Sequence, residues 1–218
     1  MINSPQNQHS LTTEAIVLVP GLAFGGIELF LLASRLRKLG YLVTVFYHWP
    51  FCGNFDDKNK KLTSLLKKID SPVIHFLGCS MGGLIVLDFL TRNPNLPEGK
   101  VVLLGSPING SLAACKVLKL PLGGFLVGKC LASRCCGKTL AFPNNREIGG
   151  ITGSRNFMLS KLLNLPLPND GLITVAETQH PNMTDSSIFE VSHYNMIFSA
   201  KIVEAVHSFF HTGTFKDL

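Results

Sequence analysis

Hydrophobic positions along the chain form short continuous runs, and these runs alternate with segments of helical spacing. The runs are typical of buried strands, and most of them end at Gly, Pro or Ser. Predicted strands cover residues 15–19, 41–47, 73–77, 101–104, 148–152 and 187–191. Predicted helices cover residues 27–38, 58–69, 81–91 and 200–210, with Ser199 as the N-cap of the last one.

This alternation predicts an α/β fold, with a mostly parallel sheet and helices on both faces. At 218 residues, the whole chain (1–218) is expected to form a single domain. Residues 1–13 are polar, do not resemble a secretion signal, and are expected to be a disordered tail. Residues from about 112 to 145 are irregular, and we predict that they form a small insert that acts as a cap.

One predicted strand leads into the stretch with the clearest chemical meaning. Residues 72–83 read PVIHFLGCSMGG and contain a G-x-S-x-G motif centred on Ser80. A strand, a sharp turn and a helix are the context in which this motif is a nucleophile elbow. The motif alone is a weak signal, so the prediction depends on that context. Ser80 is the candidate nucleophile.

A serine hydroxyl needs a base within hydrogen-bond reach, and the base needs an orienting partner. After an elbow, the expected order along the chain is serine, acid, histidine. His193 is the candidate base, because it lies between a predicted strand and the last helix. His75 precedes the elbow within a strand and is interpreted as a core histidine. The other histidines after Ser80 are predicted to lie in a loop or near solvent: His180, His207 and His211.

The acid should lie between Ser80 and His193. Asp170 is the first choice, since it stands in a turn-like segment, PNDG, where a loop carboxylate could meet the imidazole. Asp185 is the alternative acid, and Asp170 could also be an ordinary turn residue.

Acyl transfer also needs donors for the oxyanion. The candidates are the backbone N–H groups of Met81, after the nucleophile, and of Leu22, in the loop after the first strand.

Charge and composition limit the classes of partner that the chain is expected to bind. The net charge is +6, the hydrophobic fraction is 46% and the mean hydropathy is +0.28. No acidic residue lies between Glu98 and Glu147, in an interval rich in Lys and Arg. Without a nucleic-acid-binding motif, this favours an anionic membrane surface or an apolar, negatively charged substrate over nucleic acid. Solvated lysines on a helical cap are an equally simple interpretation.

The apolar runs and the cysteines indicate whether the chain spans a membrane, whether it binds a metal and which compartment it occupies. No apolar run reaches the ~20 residues that span a bilayer. Adjacent Cys135 and Cys136 suit tetrahedral zinc poorly, so we expect no metal and no cofactor. We expect reduced thiols at all six cysteines: Cys52, Cys79, Cys115, Cys130, Cys135 and Cys136. For the protein we expect a cytoplasmic location, and peripheral membrane contact is left open.

Five motifs in order resemble the α/β-hydrolase superfamily, and more narrowly its small bacterial lipase and esterase-like members. They are VLVPGL, HFLGCSMGGL, LLGSPINGS, PNDGLITVAET and VSHYNMIFS. The resemblance implies Ser80 as nucleophile, Asp170 as acid, His193 as base, and Leu22 and Met81 as oxyanion donors. It also implies about six strands, without the family's first two strands or a large cap. The chain departs from many relatives at Pro20 and Cys79, where a histidine is common.

The leading hypothesis is therefore a serine hydrolase that cleaves carboxylic esters through an acyl-enzyme intermediate. The insert would border the acyl pocket, which favours an apolar acyl group. A thioesterase or acyltransferase on the same fold is the second hypothesis. A non-catalytic ligand-binding or membrane-binding module is the third.

Overall fold

The computed structural model describes residues 13–22, 25–49, 51–133 and 140–215. The expected tail, apart from its last residue, and the Cys135–Cys136 pair lie outside these residues. Six strands form one sheet in the order β2-β1-β3-β4-β5-β6, and every neighbouring pair is parallel. The strands are β1 (Ala15–Val19), β2 (Leu42–Val45), β3 (Ile74–Cys79), β4 (Val101–Leu104), β5 (Ile148–Gly153) and β6 (Asp185–Phe189). This confirms the predicted α/β class and the count of about six strands.

The helices lie in the connections between strands and, for the last one, after β6. They are α1 (Phe30–Lys38), α2 (Phe55–Leu66), α3 (Met81–Arg92), α4 (Leu112–Leu118), α5 (Gly123–Ala132), α6 (Met158–Leu162), α7 (Val175–Thr178) and α8 (Ala200–Thr212), with short 3₁₀ helices at Ile27–Leu29 and Asn195–Phe198. Within the described ranges, none of these helices has both the length and the apolar character to cross a membrane.

Helices α6 and α7 were not predicted, and several boundaries differ from the sequence prediction, most clearly those of α2, β6 and the insert. The helix expected from residue 58 begins at Phe55, because Asn54 and Asp57 form a capping box. Strand β6 begins and ends two residues earlier than predicted. The segment expected to be irregular contains α4 and α5, which are separated by Leu122 in a left-handed conformation (φ 62°).

Alternate residues of the strands bury two separate hydrophobic layers. In β1, Ala15, Val17 and Val19 face the layer formed with α2, α3, α4 and α5. Ile16 and Leu18 face the opposite layer, formed with α1 and α8. Side chains of a strand alternate between the faces of a sheet, so a strand buried on both faces is apolar at every position. The helices on both faces therefore follow from the continuous apolar run.

The strand order places a crevice at one edge of the sheet. Strand β1 lies between β2 and β3, so the connections that leave β1 and β2 run in opposite directions across the sheet. Ligands of open α/β sheets bind outside the carboxyl ends of the strands at such a reversal. Gly21 follows β1 and Ser80 follows β3, and both lie at this point.

Candidate active site

Ser80 occupies the turn between β3 and α3 in a backbone conformation that is rare for a residue with a side chain (φ 53°, ψ −124°). Its N–H donates to the carbonyl of Leu104 on β4 at 2.7 Å. The turn also depends on two glycines. A Cβ on Gly82 would lie 2.0 Å from the carbonyl oxygen of Val19, and one on Gly78 would lie 2.5 Å from the backbone of α3. Strands β1 and β3 approach α3 so closely that neither glycine could carry a side chain. The strained backbone conformation of this turn is at Ser80.

His193 and Asp170 are in direct contact. His193 Nδ1 lies 2.6 Å from Asp170 Oδ2, and the backbone N–H of His193 donates to the Asp170 carbonyl at 2.8 Å. Asp170 is fully buried, and the side chain of His193 is 9% exposed. A carboxylate at Nδ1 keeps the proton on that nitrogen, which leaves Nε2 free to accept a proton.

Asp170 has two roles, one for each carboxylate oxygen. Oδ1 accepts hydrogen bonds from the N–H groups of Leu172 at 3.0 Å and Ile173 at 2.7 Å. These are the turn contacts expected of an aspartate ahead of a glycine. Oδ2 faces His193. The two interpretations of Asp170 therefore do not exclude each other, because the turn fixes the carboxylate while one oxygen remains for the imidazole.

The alternative acid and the core histidine lie elsewhere. Asp185, the alternative acid, begins β6, and its Oδ2 accepts from the N–H of Phe215 at 2.6 Å. His75 is buried, with Nε2 3.1 Å from Glu14 Oε2, and its Nδ1 accepts from the N–H of Lys100 at 2.9 Å. This agrees with the interpretation of His75 as a core residue.

A cavity of about 580 Å³ is lined by both Ser80 and His193. Among the histidines that the structure describes, only His193 lines it. No hydrogen bond between described residues joins Ser80 Oγ to the imidazole; such contacts are often long before a substrate binds. Gly105, with φ 53°, makes room for the ring, since a Cβ there would lie 3.1 Å from two of its atoms.

Most of the cavity wall is apolar, and the insert and α6 supply part of it. It includes Ala113, Val117, Leu126, Val127, Leu131 and Leu159. Residues of α4 and α5 thus border the cavity, as the sequence suggested for the insert. Glu28 is the one carboxylate among the lining residues. A second, larger cavity of about 800 Å³ is lined by neither Ser80 nor His193.

The two candidate oxyanion donors belong to two different segments near Ser80. Met81 is the first residue of α3 and is fully buried. Leu22 lines the cavity beside Gly21, where a Cβ would lie 2.9 Å from Ser80 Cβ. The main chain at Gly21 is therefore close to the turn that carries Ser80. Ala23 and Phe24, of the same loop, lie outside the described residues.

Cys79 lines the cavity directly before Ser80. Burial, with a smaller effect of Glu28, raises the pKa of the Cys79 thiol to about 12. Only the thiolate is a strong nucleophile, so Cys79 acts here as a neutral part of the wall. Cys79 therefore does not compete with Ser80, the candidate nucleophile.

Two buried polar residues near Pro20, His48 and Lys58, were not predicted from the sequence. Lys58 is the first residue of the helix predicted over 58–69, and in the structure it is 1% exposed. Its spacing was a usable signal: Phe55, Lys58 and Leu62 lie three and four positions apart, on one face of α2. That face packs into the core, and the lysine is buried with it.

No family model matches the sequence, and no curated protein matches it. Solved structures do match the fold. The mature form of the Bacillus licheniformis lipase BlEst2 is 19% identical, with a TM-score of 0.67 over 89% of this chain and 90% of that chain. The chain spans 49% of the propeptide form of the same lipase.

Two further structures are similar. The metagenomic carboxyl esterase MGS0156 is 18% identical, with a TM-score of 0.67 over 86% of this chain and 66% of that one. A bromoperoxidase from Bacillus anthracis is 16% identical, with a TM-score of 0.62 over 92% of both chains. At these identities the likeness concerns the fold: the chain has the α/β-hydrolase fold.

Proposed function

We propose that this chain is a serine hydrolase that cleaves carboxylic esters through a Ser80–His193–Asp170 triad. The 2.6 Å contact between His193 Nδ1 and the buried Asp170 carboxylate, at the cavity that Ser80 also lines, is the observation that carries the proposal. The fold supports it, because two of the similar structures are a lipase and a carboxyl esterase.

In this mechanism, Ser80 Oγ attacks the acyl carbon of the ester while His193 Nε2 takes the hydroxyl proton. Leu22 and Met81 donate their backbone N–H groups to the oxyanion of the tetrahedral intermediate. The ester C–O bond then breaks, and His193 returns the proton to the departing alcohol. Water attacks the acyl-serine, again with His193 as base, and the acid leaves with Ser80 restored.

The apolar wall of the cavity favours an ester with an apolar acyl group. Val117, Leu126, Val127 and Leu131 offer no charge to a polar acyl chain, and the volume of about 580 Å³ is within the usual range for small-molecule sites. We therefore propose a neutral, apolar acyl group of moderate size as the substrate class.

We also propose that the insert touches anionic membranes. Leu122 and Phe125, at the start of α5, are 82% and 72% exposed, and Leu162 of α6 is 81% exposed. Lys119 and Lys129 are exposed on either side of the first two. Apolar side chains flanked by cations suit an anionic bilayer surface. Flotation with phosphatidylglycerol vesicles, but not with phosphatidylcholine vesicles, is the expected result, and equal flotation with both would contradict it.

The proposed location is the cytoplasm. Cys52, Cys79 and Cys130 carry free thiols, which favours a reducing compartment.

The test of the proposed activity is hydrolysis of p-nitrophenyl butyrate by the wild type, Ser80→Ala and Ser64→Ala. Ser64 is an exposed serine on α2 and serves as the matched control. Ser80→Ala should lose at least about 10³-fold in kcat, while Ser64→Ala keeps the wild-type rate. Equal rates for Ser80→Ala and the wild type would contradict the proposal. Faster turnover of the thioester analogue, or transfer to added alcohols, would point to the thioesterase or the acyltransferase instead.

A further inference from the structure

A buried lysine and histidine lie behind the loop that carries Leu22. Lys58 is 1% exposed and His48 is 6% exposed. Lys58 Nζ donates three hydrogen bonds: to His48 Nδ1 at 3.0 Å, to the Trp49 carbonyl at 2.8 Å and to the Cys52 carbonyl at 2.9 Å. An ammonium group has three N–H donors, so these acceptors satisfy it completely.

The contact with Lys58 fixes the tautomer of His48. Because the ammonium can only donate, Nδ1 of His48 must accept, and the ring proton is on Nε2. Nε2 lies 3.4 Å from the Pro20 carbonyl oxygen and donates to it. The backbone N–H of His48 donates to the Gly25 carbonyl at 3.2 Å. His48 therefore bonds to the main chain on both sides of Leu22, at Pro20 and at Gly25.

This loop carries one of the two proposed oxyanion donors. Leu22 lies between the two held positions, and a Cβ on Gly21 would lie 2.9 Å from Ser80 Cβ. Proline has no N–H of its own, so the loop cannot be anchored through a donor at position 20. The carbonyl of Pro20 and its contact with His48 supply an anchor there.

The same lysine also holds part of the cavity wall. Its bonds to the Trp49 and Cys52 carbonyls lie on either side of Phe51, which lines the cavity and stacks on Phe125 at a centroid distance of 5.7 Å. A methionine would fill the position of Lys58 without the desolvation of a charge. What the lysine adds is three directed hydrogen bonds.

We propose that Lys58 and His48 are positioning residues that hold the main chain at Pro20 and at Gly25 so that the N–H of Leu22 meets the oxyanion. The proposal rests on the ester hydrolase function, because only acyl transfer needs that donor. Pre-organised donors aimed at the oxyanion act on the transition state and little on the bound substrate. Loosening the loop should therefore lower kcat and leave KM nearly unchanged.

The test compares four variants with the wild type on p-nitrophenyl butyrate. Lys58→Met removes the three donors at similar length. His48→Phe keeps a ring but removes the donor to Pro20, whereas His48→Gln can keep a donor near the position of Nε2. Lys61→Met is the control, because it removes an exposed lysine from the same helix. Rates are expressed per active site titrated with a fluorophosphonate, so that unfolded protein does not count.

Lys58→Met and His48→Phe should each lower kcat by about 10- to 100-fold with KM within twofold, and Lys61→Met should match the wild type. His48→Gln should recover part of the loss seen in His48→Phe. The double variant Lys58→Met/His48→Phe should be no slower than the worse single variant, since both act through one chain of contacts.

The outcomes separate this proposal from the function on which it rests. An active wild type with Lys58→Met and His48→Phe within twofold of its kcat would overturn the positioning role. So would a loss that appears only in KM or only in the number of titrated sites. If Lys58→Met does not fold, the two His48 variants alone decide the matter: equal rates for His48→Phe and the wild type would overturn the proposal. An inactive wild type would instead contradict the proposed function.

Discussion

Replacing Asp170 with asparagine tests the proposed base through the geometry of one buried carboxylate. Oδ1 accepts from the backbone N–H groups of Leu172 and Ile173, and Oδ2 faces His193 Nδ1 at 2.6 Å. An asparagine must place its single oxygen at the two N–H donors. Its NH₂ group then lies against Nδ1, which has to become an acceptor. The ring proton moves to Nε2, and that nitrogen can no longer take a proton from Ser80.

The size of the effect follows from this inverted tautomer. A triad histidine held in the wrong tautomer loses about 10⁴-fold in kcat, by analogy with the serine protease that serves as the standard example. This corresponds to roughly 5 kcal/mol of transition-state stabilisation. Both backbone contacts of Asp170 are kept by the asparagine, so the fold should persist. We expect Asp170→Asn to lower kcat by about 10³- to 10⁴-fold at nearly unchanged KM.

The assay is steady-state ester hydrolysis, with thermal unfolding of each variant measured in parallel. Asp185→Asn is the matched control, since Asp185 also accepts backbone N–H groups but is half-buried and lies on β6, away from the imidazole. It should keep at least half of the wild-type kcat. A folded Asp170→Asn that stays within tenfold of the wild type, or an equal loss in both variants, would refute the reasoning.

Three further predictions concern stability and reactivity. Gly82→Ala should lower the free energy of unfolding by at least about 3 kcal/mol in urea titrations, because its Cβ would meet a backbone carbonyl at 2.0 Å; Gly124→Ala, with open space around it, should change it by less than about 1 kcal/mol. Iodoacetamide at pH 8 should alkylate exposed Cys52 and spare Cys79, as seen by peptide mass spectrometry, since burial raises the pKa of the Cys79 thiol to about 12. Burial, and then the neighbouring lysine, lower the pKa of His48 to about 4, so the unfolded chain binds a proton that the folded protein excludes. The free energy of unfolding should fall by roughly 1 kcal/mol per unit as the pH drops from about 6.5 to about 4, and His48→Phe should reduce this slope.

Elements buried on both sides were predictable from the sequence. Strands β1 and β4 are apolar at every position, and both begin and end where the sequence pattern predicts. Strand β6 lies at the edge of the sheet and is only partly buried. Because it begins with the polar residues Asp185 and Ser186, its first two residues were not predicted to be in a strand. The helices α4 and α5 were not predicted, because Pro121 and the glycines at 123 and 124 interrupt the helical spacing of apolar residues along this segment.

The residues of the candidate site also differ in how far local sequence patterns predict them. Ser80 could be chosen as the candidate nucleophile because the glycines that its turn requires stand two positions before and after it in the sequence. The choice between Asp170 and Asp185 depended on which loop reaches His193, and that contact joins residues 23 positions apart. Local patterns do not encode such distances. Lys58 was missed for another reason: a lysine is usually solvated, and only the packing of α2 shows that this one is buried.

The measurement that tests the central claim most directly is labelling with a fluorophosphonate, followed by peptide mass spectrometry, on the wild type and on His193→Ala. The account predicts one adduct, on Ser80, which forms rapidly in the wild type and at least about 10³-fold more slowly in folded His193→Ala. A folded wild type without an adduct on Ser80, or equal labelling of Ser80 in both proteins, would contradict it.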